Sequence, residues 1–175
     1  CRQLLKLLQL DGGFVTAYIP NPDMGPDDLL QALCAELGLT VSPEATRRQM
    51  MVELDRCLLD HARAGRRVVV CIDEAQAVPL RTIESLRLLS NLETEKRKLL
   101  QLVLLGQPDL DDKLGRPEIR QLLQRITFSE YLGPLQARRV PGYLAHRLQR
   151  AALNTQTDIR VFTPAAAQAI AQASG

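Results

Sequence analysis

Two adjacent acids, Asp73 and Glu74, follow directly on the apolar run Val68-Val69-Val70-Cys71-Ile72. A continuous, largely β-branched run bounded by charge reads as a strand buried on both faces of a parallel sheet. Working groups in such sheets collect at the carboxyl ends of the strands. One carboxylate at that position can hold a Mg²⁺ ion and its neighbour can polarise a water, the two needs of metal-assisted phosphoryl transfer. Asp73 suits the first role and Glu74 the second. A second apolar run, Leu100 to Leu105, ends at Gly106-Gln107-Pro108, which puts the Gln107 amide at the end of the adjacent strand, where it can sense a terminal phosphate. Arg125 directly precedes the apolar Ile126, with Arg120 shortly before it. An arginine there can project into a neighbouring subunit's site and stabilise charge developing on a transferred phosphate.

Each residue also has a plain structural reading. A buried strand ending in two acids and a turn arises without catalysis. Gly106-Gln107-Pro108 is a turn in its own right, and Arg125 can be a solvated helix end complementing the helix dipole. The order of the three polar positions along successive strands is a stronger signal than any one of them. Gln76 and Pro79 shape the turn after the acidic pair, and Gln76 can also hydrogen-bond near a terminal phosphate.

The elements that must position these residues follow from periodicity and punctuation. Leu4, Leu5, Leu7, Leu8 and Leu10 make a leucine-rich helix stopped by Asp11-Gly12-Gly13. A short β-prone segment, Phe14 to Ile19, breaks at Pro20-Asn21-Pro22. Helices are predicted from Pro26 to Gly38, from about Glu44 to Ala64, after Pro79, and at about Pro117 to Gln124. Asp109 to Arg116 reads as a polar turn and Ile126 to Tyr131 as a further strand. The whole is an α/β pattern with a parallel sheet and helices on both faces. Gly133-Pro134 marks a boundary, giving a core over residues 1–134 and a partial helical lid over 135–175. The lid has helices at Gln136 to Ala152 and Pro164 to Ala173, an extended link at Asp158 to Phe162, and Thr163 as N-cap.

Composition narrows the class. The 46% hydrophobic and 24% charged residues over 175 positions are globular values. The net charge of +2 is spread along the chain, and aromatics are 3% with no Trp, so neither a basic footprint nor stacking platforms call for nucleic acid. A basic stripe on the first lid helix, Arg138, Arg139, Arg147 and Arg150, reads as a solvated face. Cys1, Cys34, Cys57 and Cys71 form no metal-ligand spacing and read as reduced thiols of a cytosolic protein, while His61 and His146 stand alone. No apolar stretch reaches the roughly 18 residues of a membrane span.

The segments VVVCIDEAQ, LVLLGQPDL and IRQLLQRITFSEYLGPL resemble the ATPase domain of the general secretion pathway protein A family and its relative in MSHA pilus biogenesis. More distantly they resemble the AAA+ proteins that accompany transposases. The resemblance implies a P-loop NTPase core of the AAA+ kind, with ATP and Mg²⁺ as ligands. It makes Asp73 and Glu74 the Walker B pair, with Asp73 on the metal, Gln107 sensor 1, and Arg125 the arginine finger, Arg120 being the fallback. It further implies an oligomer acting on a secretion or pilus assembly protein at the cytoplasmic face of the inner membrane, with any membrane segment outside these residues. The competing readings are a DNA-binding accessory of a transposase and a non-catalytic interaction module. A DEAD-type helicase fits poorly, because LLGQPDL stands where a Ser-Ala-Thr would be.

No G-x-x-x-x-G-K-[ST] occurs in the chain, and the sensor 2 arginine of the family is not found after Ala173. The chain therefore reads as beginning just after its phosphate-binding loop. That loop supplies the backbone N–H nest and the lysine that hold β- and γ-phosphates. These 175 residues alone are accordingly expected to bind MgATP weakly and not to hydrolyse it; isothermal titration checks this, and tight binding would contradict it.

Overall fold

The computed structural model describes residues 2–93, 98–152 and 161–173. The expectations for Cys1, for most of the link at 158–162 and for the last two residues lie outside them.

Helix α1 (Arg2–Asp11) leads into β1 (Phe14–Ile19), and Gly12, at φ 68°, makes the left-handed turn between them. Helices α2 (Pro26–Glu36) and α3 (Arg47–Arg63) follow. Pro26 opens α2 at its first position, with Asp27 and Asp28 favouring the helix N-terminus. Thr46 caps α3 through a reciprocal box: its hydroxyl accepts the Gln49 N–H at 3.3 Å, and Gln49 Oε1 accepts the Thr46 N–H at 2.8 Å. Strand β2 (Arg67–Ile72) then enters the sheet, followed by α4 (Leu80–Ser90) and β3 (Leu100–Leu104).

The three strands pair in parallel in the order β1-β2-β3, with Ile19, Ile72 and Leu104 level across the sheet. Every residue of β2 after Arg67 is buried. The pleat divides them. Val68, Val70 and Ile72 join the main core with Leu29, Leu33, Leu54, Leu58, Ile83 and Leu86 from α2, α3 and α4. Val69 and Cys71 face the other side. So does Thr16, the register partner of Val69, and Gln9 of α1 donates to its hydroxyl at 3.1 Å. Helices thus lie on both faces of the sheet. Burial pushes the Cys71 thiol pKa up, with the charge of Asp73 adding to it, so Cys71 is a protonated core residue.

Beyond β3 the chain departs from the sequence expectation at two places. Asp109 to Leu114 is a short helix, α5, rather than a polar turn. Its three aspartates gather in the first turn, where the helix dipole favours them, and Leu110 and Leu114, one turn apart, are buried. A 3-10 turn at Pro117–Ile119 and α6 (Arg120–Leu123) complete this stretch. The strand expected at Ile126 to Tyr131 is not formed: these residues are exposed coil with no ladder partner among the described residues. Alternating apolar side chains suit a strand but do not make one, because a strand is stabilised by its neighbours.

The chain divides into two compact units, Cys1–Thr127 and Phe128–Gly175, a few residues ahead of the Gly133-Pro134 boundary read from sequence. The second unit holds α7 (Val140–Ala151) and α8 (Pro164–Ala173). The Thr163 hydroxyl accepts the Ala166 N–H at 3.2 Å, which is the expected N-cap. No helix among the described residues is long and apolar enough to cross a membrane.

Leu54 of α3 is fully buried in the main core. Leu54→Ala is expected to destabilise the first unit by about 2–5 kcal/mol, read as a lower midpoint in urea unfolding at an unchanged slope.

Candidate functional site

The level ends of β1, β2 and β3 bring the next residues of each strand side by side. The Asp73 N–H donates to Ile19 O at 2.9 Å, the Leu105 N–H to Ile72 O at 2.9 Å, and the Ala75 N–H to Leu105 O at 2.8 Å. The ladder thus continues one step past the strands and hands the chain over to the loop that carries the acidic pair.

Asp73 lies on the same face as Cys71 and Tyr18, two residues along the pleat. It is partly buried. The Tyr18 hydroxyl donates to its Oδ2 at 2.9 Å and the Glu74 N–H to its Oδ1 at 3.1 Å. Two donors aim the carboxylate while each oxygen keeps a lone pair. These are hard oxygen donors of the kind Mg²⁺ takes. No group of three or more His, Cys, Asp or Glu side chains among the described residues could hold a metal unaided. A Mg²⁺ ion at Asp73 would therefore complete its shell with water and phosphate oxygens, its usual habit.

Glu74 is exposed and sits at φ 51°, ψ 39°, the one non-glycine residue with positive φ among those described. A left-handed residue with a side chain costs on the order of 1–3 kcal/mol and persists where its surroundings over-determine it. The surroundings here are polar. Gln76 Nε2 donates to Glu74 Oε2 at 2.6 Å, and Gln76 Oε1 accepts the main-chain N–H of Gln107 at 3.1 Å. The ammonium of Lys113 on α5 donates to the carbonyls of Gln76 and, at 2.9 Å, Val78. Gly106 is tightly packed in this region: a Cβ there would meet Gln76 Oε1 at 2.8 Å and Leu110 Cδ2 at 3.1 Å. Here glycine is needed for close approach rather than for turn geometry.

Of the residues singled out in the sequence, Asp73, Glu74, Gln76 and Gln107 are joined in one network at the ends of β2 and β3. The Gln107 side chain is exposed beside it. Arg120 and Arg125 are not drawn in. Both are exposed, Arg120 beginning α6 and Arg125 just past its end, and neither forms an ion pair among the described residues. Sequence reasoning missed two contributors. Tyr18 could have been found from its place next to last on the strand beside the acidic one. Lys113 had no local signal, because its partners lie more than thirty residues away in sequence.

Comparison with known proteins gives the same outline. Residues 1–114 match the family described as AAA domain. General secretion pathway protein A of Aeromonas hydrophila is 42% identical over 169 residues, 97% of this chain. The chain spans 30% of that relative's length. Among solved structures, the Aeropyrum pernix ORC2 protein in its ADP form superposes with a TM-score of 0.67 at 14% identity, covering 99% of this chain and 45% of that one. Its ADPNP–ADP complexes give 0.68 at 15% identity, covering 97% and 44%. At such identities these structures speak for the fold alone.

Lys113→Met keeps the aliphatic stem but leaves the Gln76 and Val78 carbonyls without their charged donor. The expected cost is about 1–2 kcal/mol, the range for a partly exposed charge-assisted hydrogen bond, measured as a shift in thermal or urea midpoint.

Proposed function

This chain belongs to the AAA domain family, and from that premise we propose that it is the ATP-binding and ATP-hydrolysing module of a secretion or pilus assembly protein. The observation that carries the reading is the convergence of Asp73, Glu74 and Gln107 at the ends of adjacent parallel strands, joined through Gln76. Asp73 holds the metal, Glu74 polarises the attacking water, and Gln107 contacts the terminal phosphate. Mg²⁺ bound there supplies charge neutralisation on the phosphate oxygens. The secretion assignment is supported by the 42% identity to General secretion pathway protein A.

The reading has structural requirements. A phosphate-cradling loop must come from elsewhere in the polypeptide, because no G-x-x-x-x-G-K-[ST] occurs in these residues. The exposed guanidinium of Arg125, without an ion pair among the described residues and with Arg120 in reserve, suits a finger that acts on a neighbouring subunit's nucleotide, so the working form is an oligomer. Its partner is an assembly protein of the inner membrane, reached from the cytoplasmic face.

In the full-length protein, Glu74→Gln is expected to lower kcat for ATP hydrolysis by about 10²-fold or more, the scale of a lost general base, while calorimetry shows MgATP still bound. Turnover at the wild-type rate would overturn the reading.

A further inference from the structure

Gln76 uses both ends of its side-chain amide inside the site. Nε2 donates to the Glu74 carboxylate at 2.6 Å, and Oε1 accepts the Gln107 N–H at 3.1 Å. One planar group therefore ties the loop after β2 to the tip of β3. When one end of a rigid amide is displaced, the other must follow or lose its bond. The group is itself held: its residue's carbonyl accepts Lys113 Nζ, and the bare Cα of Gly106 leaves the space that Oε1 fills. Glu74, in its left-handed conformation, has Gln76 as the side chain donating to its carboxylate.

We infer that Gln76 is a positioning residue that couples the tip of β3 to Glu74. Engagement of Gln107 by a terminal phosphate is passed through the Gln76 amide to the carboxylate that orients the attacking water. The inference rests on the reading of Glu74 and Gln107 as parts of a phosphoryl-transfer site. It differs from a direct phosphate contact by Gln76 in that the amide acts here through Glu74 and the Gln107 main chain rather than on the phosphate.

The test uses the full-length protein with Gln76→Ala, Gln76→Glu, Gly106→Ala and the Gln76→Ala/Gly106→Ala double variant. Gln76→Ala removes both bonds. Gln76→Glu keeps an acceptor for the Gln107 N–H but replaces the donor to Glu74 by a like charge that repels it. In Gly106→Ala the new methyl displaces the amide without removing a polar group.

Two readouts are taken: hydrogen exchange of the peptide spanning Leu105 to Asp109 without nucleotide, and kcat and KM for ATP. Gln76→Ala should speed exchange of the Gln107 amide and lower kcat about 10- to 100-fold, the scale of a misplaced catalytic group, with KM within about twofold. Gln76→Glu should keep the slow exchange yet lose kcat, separating the two halves of the bridge. Gly106→Ala should resemble Gln76→Ala, and the double variant should lose clearly less than the sum of the two, because the nearest group the methyl strikes, Gln76 Oε1, is gone and only the contacts to Leu110 Cδ2 and the Gln76 main chain remain.

Additive losses in the double variant would overturn the coupling. So would fast exchange in Gln76→Ala at wild-type kcat, which would leave the tie merely structural. Glu74→Gln in parallel separates the levels: if it still turns over, the site reading falls and the inference with it. If it is inactive while Gln76→Ala runs at wild-type kcat, the coupling alone fails.

Discussion

Strand β2 is hydrogen-bonded on both sides and buried on both faces, and the rest of the first unit is arranged around that fact. A strand with no solvated face must be apolar throughout, which is why Val68 to Ile72 carry no polar side chain. Its backbone groups find partners only where β1 and β3 run beside it. The chain can leave the sheet only at the strand ends, and there the first polar residues appear. Because Ile19, Ile72 and Leu104 are level, the three exits are level too. Asp73 meets the side chain of the neighbouring strand, and Gln76 meets the turn that follows β3.

The loop after β2 is an accommodation between that rigid edge and a strained backbone. Glu74 in the left-handed region is unfavourable by itself. It is retained within a set of contacts that arrive from three directions: Tyr18 on Asp73, Lys113 on the Gln76 and Val78 carbonyls, and the Gln76 amide between Glu74 and Gln107. Each contact answers a polar group that the end of the sheet would otherwise leave without a protein partner. The polar network thus serves the fold first. It also fixes the side chains of Asp73 and Glu74 in a defined geometry, which the proposed phosphate chemistry requires.

The elements up to β3 were legible because their signals are local. A continuous β-branched run names a buried strand, Pro26 names a helix start, and Gly12 names a stop. The acidic pair and Gln107 were legible for the same reason, since they are punctuation at the ends of such runs. Where the outcome rested on neighbours, the reading went astray. Ile126 to Tyr131 has the alternation of a strand and no strand beside it among the described residues. Asp109 to Arg116 has the polarity of a turn, yet Leu110 and Leu114 had a core to bury against, which local composition does not reveal.

By itself, the sequence determined the order of elements up to β3, the parallel α/β class and which residues stand at the ends of those strands, because periodicity and caps act over a turn or two of chain. Only the tertiary structure decided how those ends are joined. Tyr18 and Asp73 are far apart along the chain, as are Gln76 and Gln107, and Lys113 and the carbonyls it holds. Such pairs meet because strand register and helix packing fix their distance, and neither term is written in any local stretch of residues.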